Sequence, residues 1–170
     1  MKVSIKKADI TEIDADAIVN AASSSLLGGG GVDGAIHRKA GPKLLEECRE
    51  IRKERYPDGL PTGQAVATKG YNLKARHVIH TVGPIYKKQE LSLLKDGYLN
   101  SLKIAEQLKC RKIAFPAIST GVYGVPIEES INVVQEVIDH YKSGFIEEII
   151  LVLFDEEDYE KYKKELNVTF

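Results

Sequence analysis

Short apolar runs alternate with longer amphipathic segments along the chain. Six runs are rich in apolar or β-branched residues and are bounded by glycine, proline or polar residues, a pattern that predicts buried β-strands. They are the strand marked by Val3 and Ile5, which is expected to end at Asp9-Ile10-Thr11, and the segments Ala15–Ala21, Gln64–Thr68, His77–Val82, Lys112–Phe115 and Ile149–Phe154.

Five longer segments between these runs carry apolar residues at helical spacing. They are Asp33–Ala40, Pro42–Arg55, Leu91–Leu108, Pro126–Tyr141 and Asp155–Leu166. Proline starts two of them, and Glu128 and Glu129 occupy a first turn, where the helix dipole favours carboxylates. Strands that alternate with helices predict an α/β fold, a three-layer α/β/α sandwich around a central mixed β-sheet. No linker or repeat divides the chain, so residues 1–170 are expected to form a single domain.

The charge balance argues against a general nucleic-acid binder. The 170 residues include 24 basic and 25 acidic ones, a formal net charge of −1, which leaves no basic surplus to neutralise phosphates. Cys48 and Cys110 are too far apart in the chain for a disulfide framework or a metal knuckle, so we expect buried thiols and no metal site. No run of 18 apolar residues predicts a membrane span, and Met1–Ile5 lacks the apolar core of a signal peptide. We therefore expect a soluble, cytoplasmic protein.

A run of four glycines, Gly28–Gly31, precedes the first predicted helix and is followed by Val32, Asp33 and Gly34. Glycines let the backbone come close to a ligand and adopt φ angles that other residues avoid. The helix that follows offers free N–H groups and the positive end of its dipole, which together suit a phosphate or diphosphate. The alternative is a flexible connecting loop with Asp33 as an ordinary N-cap. Four consecutive glycines cost entropy on folding, and a merely connecting loop has no need of them.

Residues 29–34 also match the G-x-G-x-x-G pattern of dinucleotide-binding folds. That motif must follow a strand directly, whereas residues 22–28 intervene here. The acidic residues Glu50 and Glu54 lie in a predicted helix rather than at the end of the next strand. A nicotinamide site is therefore not expected. An ATPase phosphate loop is not expected either, because no Gly-Lys-Ser/Thr follows the glycines.

A second glycine-containing stretch follows the fifth predicted strand and precedes the helix at Pro126. It consists of Ser119, Thr120, Gly121, Val122, Tyr123 and Gly124. Ligands of open α/β sheets bind outside the carboxyl ends of the strands. Two glycine loops that each link a strand to a helix are therefore expected to hold a diphosphate from both sides.

Two residues near predicted strand ends suit the recognition of a base. Asp9, after the first strand, is able to accept a hydrogen bond from an exocyclic amine such as that of adenine, or else to cap a turn. Phe154, at the end of the last strand, is able to stack on a base, or else to pack in the core.

Asp33 and His37 are four residues apart and share one helical face. A carboxylate there, one turn from an imidazole, is placed to act on water or to orient a ribose hydroxyl. His77 and His80 fall on opposite faces of a strand and are not expected to share a metal. The residues show no nucleophile–histidine–acid set, so covalent catalysis has no support.

These residues are similar to the signature of macrodomains, and more specifically to the MacroD-like hydrolase branch. The resemblance is carried by Ala17–Arg38, which contains the glycine run, and by Pro61–Ala65, Val78–Pro84 and Phe115–Gly124. It covers nearly the whole chain. It implies a single macrodomain over residues 1–170, with an α/β/α fold that binds ADP-ribose in a surface cleft and uses no cofactor.

The resemblance also implies a role for individual residues. Asp9 binds the adenine amine with Ile10 beside it, and Phe154 packs on the adenine. The N–H groups of Gly31, Val32 and the stretch from Ser119 to Tyr123 wrap the diphosphate, with Gly124 in the same loop. Tyr123 also borders the distal ribose, and Asn20 braces the first loop. Asp33 is the catalytic carboxylate, and Ser23 and His37 complete the catalytic group.

Ser23 is a departure from the family pattern. Asparagine normally stands ten residues before the catalytic aspartate and holds a hydroxyl of the distal ribose. Serine reaches less far, although a bridging water is able to replace the amide. Loss of that hydrogen bond is expected to cost about 1–3 kcal/mol, or roughly 5–150-fold in rate. Ala8, where glycine often precedes the aspartate, is a smaller departure that restricts the turn.

Three functions follow as hypotheses. The first is a hydrolase of ADP-ribose esters, acting on O-acetyl-ADP-ribose and on mono-ADP-ribose attached to Asp or Glu side chains of proteins. The second is a non-catalytic ADP-ribose-binding module, which Ser23 motivates. The third, RNA or poly(A) binding, is disfavoured by the net charge and by the lack of interleaved aromatic residues. The protein is expected to be a monomer.

Overall fold

The computed structural model describes residues 1–168, which contain one six-stranded sheet and five α-helices. The strands are β1 (Lys2–Lys7), β2 (Ala17–Ala21), β3 (Ala65–Lys69), β4 (His77–Thr81), β5 (Lys112–Phe115) and β6 (Glu148–Leu153). The helices are α1 (Gly31–Ala40), α2 (Pro42–Glu54), α3 (Ser92–Gln107), α4 (Ile127–His140) and α5 (Glu156–Glu165). Each predicted element is present, with ends that differ by a few residues.

The strands lie in the order β1-β6-β5-β2-β4-β3. All neighbouring pairs are parallel except β3 and β4, which are antiparallel. The central sheet is therefore mixed, as predicted. A parallel sheet must be covered on both faces, which explains why its strands read as near-continuous apolar runs.

Two apolar cores, one on each face of the sheet, make the sandwich three-layered. One core packs residues of α3, α4 and α5, such as Leu102, Val134 and Tyr162, against odd-numbered strand residues such as Val19. The other packs α1 and α2 against the opposite face, where Ile18 lies. This arrangement confirms the predicted α/β/α sandwich.

Three element ends differ from the predictions at places that matter for the site. β1 ends at Lys7, and Ile10–Glu12 form a short 3₁₀ turn that Asp9 caps by accepting a hydrogen bond from the Thr11 N–H. β6 ends at Leu153, so the prediction that Phe154 belongs to the strand is wrong. α1 begins at Gly31, two residues earlier than predicted, because glycine tolerates the first-turn φ of +56° found there.

Both thiols are buried, as predicted. Burial raises the pKa of Cys48 to about 12 and that of Cys110 to about 11, so neither carries a reactive thiolate at neutral pH. Within residues 1–168, no helix is both long and apolar enough to span a bilayer, and no three His, Cys, Asp or Glu side chains are grouped to hold a metal.

Candidate functional site

The carboxyl ends of four neighbouring parallel strands form one edge of the sheet. In spatial order these strands are β1, β6, β5 and β2. Asp9 follows β1, Phe154 follows β6, and the loops after β5 and β2 are the two glycine loops. We call residues 22–30 the first glycine loop and residues 116–126 the second. Because β2 and β5 are adjacent and parallel, the two loops emerge side by side on this edge, as the sequence predicts.

The first glycine loop leads into α1 without a side-chain cap. Gly30 is the N-cap residue and has no side chain to bond the N–H groups of the first turn. The alternative of a connecting loop with Asp33 as its N-cap is therefore wrong about the cap, since Asp33 lies in the third position of the helix. Gly31 and Val32 occupy the first two positions, where N–H groups have no partner within a helix. Free N–H groups at a helix start are the kind of donors that suit an anion.

The second glycine loop is held by backbone hydrogen bonds at its base. The Val125 N–H donates to the Ser119 carbonyl oxygen at 2.9 Å, and the Tyr86 N–H donates to the Tyr123 carbonyl oxygen at 2.8 Å. Among the described residues, the N–H groups from Thr120 to Tyr123 donate to no protein atom. Several donors at the tip of this loop are thus available to an anionic ligand.

Ser119 is the most unusual residue of the second glycine loop. Its φ is +65°, a left-handed conformation that is uncommon outside glycine. Its side chain is buried, and its Oγ has no hydrogen-bond partner within residues 1–168. A strained backbone with an unpaired buried hydroxyl is typical of a ligand site.

Asp33 points inward, into a set of hydrogen-bond donors. Its Oδ1 accepts from Asn20 Nδ2 at 2.9 Å and lies 3.5 Å from His37 Nε2. Its Oδ2 accepts from the Ser23 N–H at 3.2 Å. Gly29 lies next to this oxygen, because a Cβ on Gly29 would be 3.2 Å from Oδ2. The carboxylate is 4% exposed and is oriented by residues from β2, α1 and the first glycine loop.

The Ser23 hydroxyl is turned into its own loop. It donates to the Gly28 carbonyl oxygen at 3.1 Å and lies 2.9 Å from Ser25 Oγ. Ser25 Oγ in turn accepts from the Leu27 N–H at 3.2 Å. Ser23 therefore organises the first glycine loop with its hydroxyl and contacts Asp33 with its N–H.

His80 belongs to the surroundings of Asp33, which its position in the sequence did not predict. His80 is 1% exposed, and its Nδ1 lies 3.1 Å from Asn20 Nδ2. Its ring centroid is 6.4 Å from that of His37. Burial, together with the nearby His37, lowers the pKa of His80 to about 3, so its ring is neutral at physiological pH. Asn20 and His80 are paired in the register of the neighbouring strands β2 and β4, so their side chains lie on the same face of the sheet. The sequence alone does not predict this contact, because it does not show that β2 and β4 are neighbours.

At the other end of the edge, Asp9 and Phe154 are both accessible. Asp9 Oδ1 accepts from the Thr11 N–H at 2.9 Å and from Thr11 Oγ1 at 2.7 Å. Within the described part of the chain, its Oδ2 has no hydrogen-bond partner. The turn-cap role left open by the sequence is thus present, with one oxygen to spare. Phe154 is 81% exposed, so the alternative that it packs in the core is wrong, while Ile10 is buried beside Asp9.

The chain matches the family model described as Macro domain over residues 19–134. It is 49% identical to a macro domain-containing protein of Streptomyces nogalater over 96% of this chain and 91% of that protein. It is 52% identical to a macro domain-containing protein of Chlorobaculum tepidum over 94% of this chain and 92% of that protein. The chain is a macrodomain.

Two solved structures share the fold of this macrodomain closely. The Oceanobacillus iheyensis macrodomain with ADP has a TM-score of 0.92 at 44% identity and covers 95% of this chain and 88% of its own. The Trypanosoma brucei macrodomain in complex with ADP-ribose has a TM-score of 0.87 at 37% identity and covers 98% of this chain and 69% of its own. The family resemblance read from the sequence is confirmed, whereas assignment to the MacroD-like branch stays a prediction.

Proposed function

We propose that this macrodomain binds ADP-ribose and hydrolyses ADP-ribose esters. The substrates are O-acetyl-ADP-ribose and mono-ADP-ribose attached to Asp or Glu side chains of proteins. The observation that carries the proposal is the edge where two glycine loops with unpaired N–H groups lie side by side, with Asp33 held directly beneath the first. The two similar macrodomain structures with ADP and ADP-ribose support the ligand class.

The order of the strands determines which part of the ligand lies at which point of the carboxyl edge of the sheet. Asp9 Oδ2 accepts a hydrogen bond from the adenine amine, Ile10 lies beside the base, and the exposed ring of Phe154 packs on it. The diphosphate lies between the N–H groups of α1 and those of the second glycine loop, where backbone donors suit an anion. The distal ribose then lies beyond Tyr123, near Asp33.

Hydrolysis on this account needs one water and one carboxylate. A water oxygen attacks the ester while Asp33 orients it and accepts its proton, assisted by the phosphate of the substrate. The bond between the acyl carbon and the ribose oxygen breaks, and the ribose oxygen takes the proton that Asp33 accepted from the water. The products from O-acetyl-ADP-ribose are acetate and ADP-ribose. The bent diphosphate contributes by holding the ester next to that water.

One observation favours a second candidate function, a non-catalytic ADP-ribose-binding module. The Ser23 hydroxyl is committed to Gly28 and Ser25, so it does not replace the longer asparagine amide that the family pattern has at this position. A distal ribose that is less firmly held would bind without efficient turnover.

Turnover and binding assays on the same preparations separate the two functions. We expect the wild type to release acetate from O-acetyl-ADP-ribose, and Asp33→Ala to lose at least about 100-fold in kcat. Asp139→Ala, at the exposed end of α4, is the control and should match the wild type. Calorimetry with ADP-ribose tests binding by each variant. Binding without product by the wild type would favour the binding module, and equal rates for Asp33→Ala would remove Asp33 from the mechanism.

A further inference from the structure

Three buried polar side chains form a row beneath Asp33. Thr68, His80 and Asn20 belong to the neighbouring strands β3, β4 and β2, and their side chains share the face covered by α1 and α2. Asn20 and His80 are direct partners in the strand register. The three residues are at most 3% exposed. Neighbouring members are hydrogen-bonded to one another, which offsets the cost of burying polar groups, while Asn20 Oδ1 has no partner within residues 1–168.

The hydrogen bonds of the row have only one consistent direction. Asn20 Nδ2 lies 2.9 Å from Asp33 Oδ1 and 3.1 Å from His80 Nδ1, and its two protons serve both. His80 Nδ1 is then an acceptor, so the neutral ring carries its proton on Nε2. That N–H donates to Thr68 Oγ1 at 3.0 Å. The Thr68 hydroxyl in turn donates to the Lys69 carbonyl oxygen at 3.1 Å, which ends the chain on the backbone of β3.

With these donor and acceptor roles, the Asn20 amide is compatible with only one orientation. If the amide rotated by half a turn, its oxygen would face the Asp33 carboxylate, and two acceptors would meet in a buried site. If His80 carried a proton on Nδ1 instead, that proton would meet the Asn20 N–H. A bare Nδ1 on His80 therefore accepts the second Nδ2 proton of Asn20 and helps to hold the amide in the orientation in which the first proton meets Asp33.

The groups around Asp33 come from three directions. His37 faces it from α1, with Nε2 at 3.5 Å from Oδ1. Cys48 faces it from α2, since the charge of Asp33 contributes to the raised pKa of that thiol. His80 faces it through Asn20 from the sheet. Of these groups, only the His80 ring is hydrogen-bonded at both nitrogens.

We propose that His80 and Thr68 are positioning residues that orient the Asp33 carboxylate through the Asn20 amide. The proposal rests on the hydrolysis proposed above for Asp33. It adds a requirement that the family signature does not state, namely that β3 and β4 hold the acid of α1 in place from below. The ring nitrogens of His80 are bonded to Asn20 and Thr68, so His80 acts on Asp33 through Asn20.

The test uses three variants of the full chain. His80→Leu removes both ring nitrogens, whereas His80→Asn keeps a carbonyl acceptor near the position of Nδ1. Thr68→Val removes the acceptor at the far end of the row with little change of shape. NMR of ¹⁵N-labelled protein reads the His80 tautomer and the exchange rate of the Asn20 side-chain amide protons. Turnover of O-acetyl-ADP-ribose gives kcat and KM, and calorimetry with ADP-ribose verifies an intact cleft.

We expect the wild-type His80 ring to be the neutral Nε2–H tautomer from pH 8 to pH 5. In His80→Leu the Asn20 amide protons should exchange at least about tenfold faster, and kcat should fall about 10–100-fold with KM within about threefold. In His80→Asn, both the Asn20 amide exchange rate and kcat should be close to their wild-type values. Thr68→Val should also raise the Asn20 amide exchange rate and lower kcat, but by less than His80→Leu.

Two NMR results would overturn the proposal. One is a charged His80 ring or an Nδ1–H tautomer at pH 7. The other is Asn20 amide exchange that stays as slow in both His80→Leu and Thr68→Val as in the wild type. If the wild type turns over no ADP-ribose ester, the proposed function fails, and the amide exchange rates alone decide whether His80 holds Asn20.

Discussion

Gly83, just after β4, lies directly against Ser119 of the second glycine loop. A Cβ atom at position 83 would overlap Ser119 Oγ and approach Ile118 Cγ2 to 2.7 Å. The end of β4 therefore needs a residue without a side chain, so that Ser119 is able to adopt its left-handed backbone and bury its hydroxyl. The shape of the second glycine loop depends on a residue outside it.

Gly83→Ala is expected to displace the second glycine loop. Overpacking of this kind costs about 1–3 kcal/mol of stability, and the shifted N–H groups should weaken ADP-ribose binding by at least about tenfold. Thermal unfolding and calorimetry measure the two effects. Gly121→Ala is the matched control for stability, because a Cβ there meets nothing within 4 Å. ADP-ribose affinity equal to that of the wild type in Gly83→Ala would contradict the prediction.

Ser23→Asn is expected to raise turnover and lower stability. The asparagine amide reaches further towards the proposed distal ribose, whereas the hydroxyl bonds to Gly28 and Ser25 are lost. The rate gain is expected to be about 5–150-fold, and the loss of stability about 1 kcal/mol. Ser25→Ala, which breaks the same contact without adding an amide, should lose stability with no gain in rate. An unchanged or lower rate for Ser23→Asn would mean that the serine is already accommodated.

The fold was largely predictable because the spacing of the apolar residues and the length of each apolar run indicate the same type of element along this chain. Buried runs such as the one containing Val19 cannot be helices at their length, and the glycine and proline residues mark their ends. The boundaries that were wrong depend on local geometry. Phe154 continues the apolar pattern of β6, but the strand ends when its pairing with β1 ends at Leu153.

The glycine loops of the site were predictable from the sequence, but the residues that support these loops and Asp33 were not. Glycine runs are visible in one stretch of sequence, whereas the contacts of His80 and Gly83 require the strand order β2-β4-β3 and the packing of separate loops. Asp33 was found as an acid near a glycine run. Its orientation by Asn20 and the Ser23 N–H is a tertiary property that spacing alone does not carry.

Glu106, at the end of α3, is expected to make the fold sensitive to strong acid. Its carboxylate accepts hydrogen bonds from the Tyr141 hydroxyl and from the N–H groups of Gly144 and Phe145. Burial opposes ionisation, but these donors outweigh it and lower the pKa of Glu106 to about 2. The stability that this carboxylate contributes is present above its ordinary pKa of 4.5 and is lost as the pH falls towards 2.

Glu106→Gln should therefore reduce the loss of stability between pH 6 and pH 3. The reduction is expected to be about 1 kcal/mol once solvent screening is allowed for, and the variant should also be less stable at pH 7. Urea unfolding at the two pH values measures it. Glu46→Gln, on the exposed face of α2, is the control and should keep the wild-type dependence. The prediction is wrong if both variants respond to acid alike.

His80 is expected to cause a second, milder acid sensitivity that begins near neutral pH. Its pKa is lowered by burial from 6.5 to about 3, so the unfolded chain binds a proton below pH 6.5 that the folded chain does not. Stability therefore falls with pH from about 6.5 downwards, by about 2 kcal/mol between pH 7 and pH 5. His80→Asn removes the titrating group and should lose that part of the dependence, as measured by urea unfolding at both pH values. His140→Gln, an exposed histidine of α4, should behave as the wild type, and a His80→Asn variant with the full wild-type dependence would show that the buried ring does not cause it.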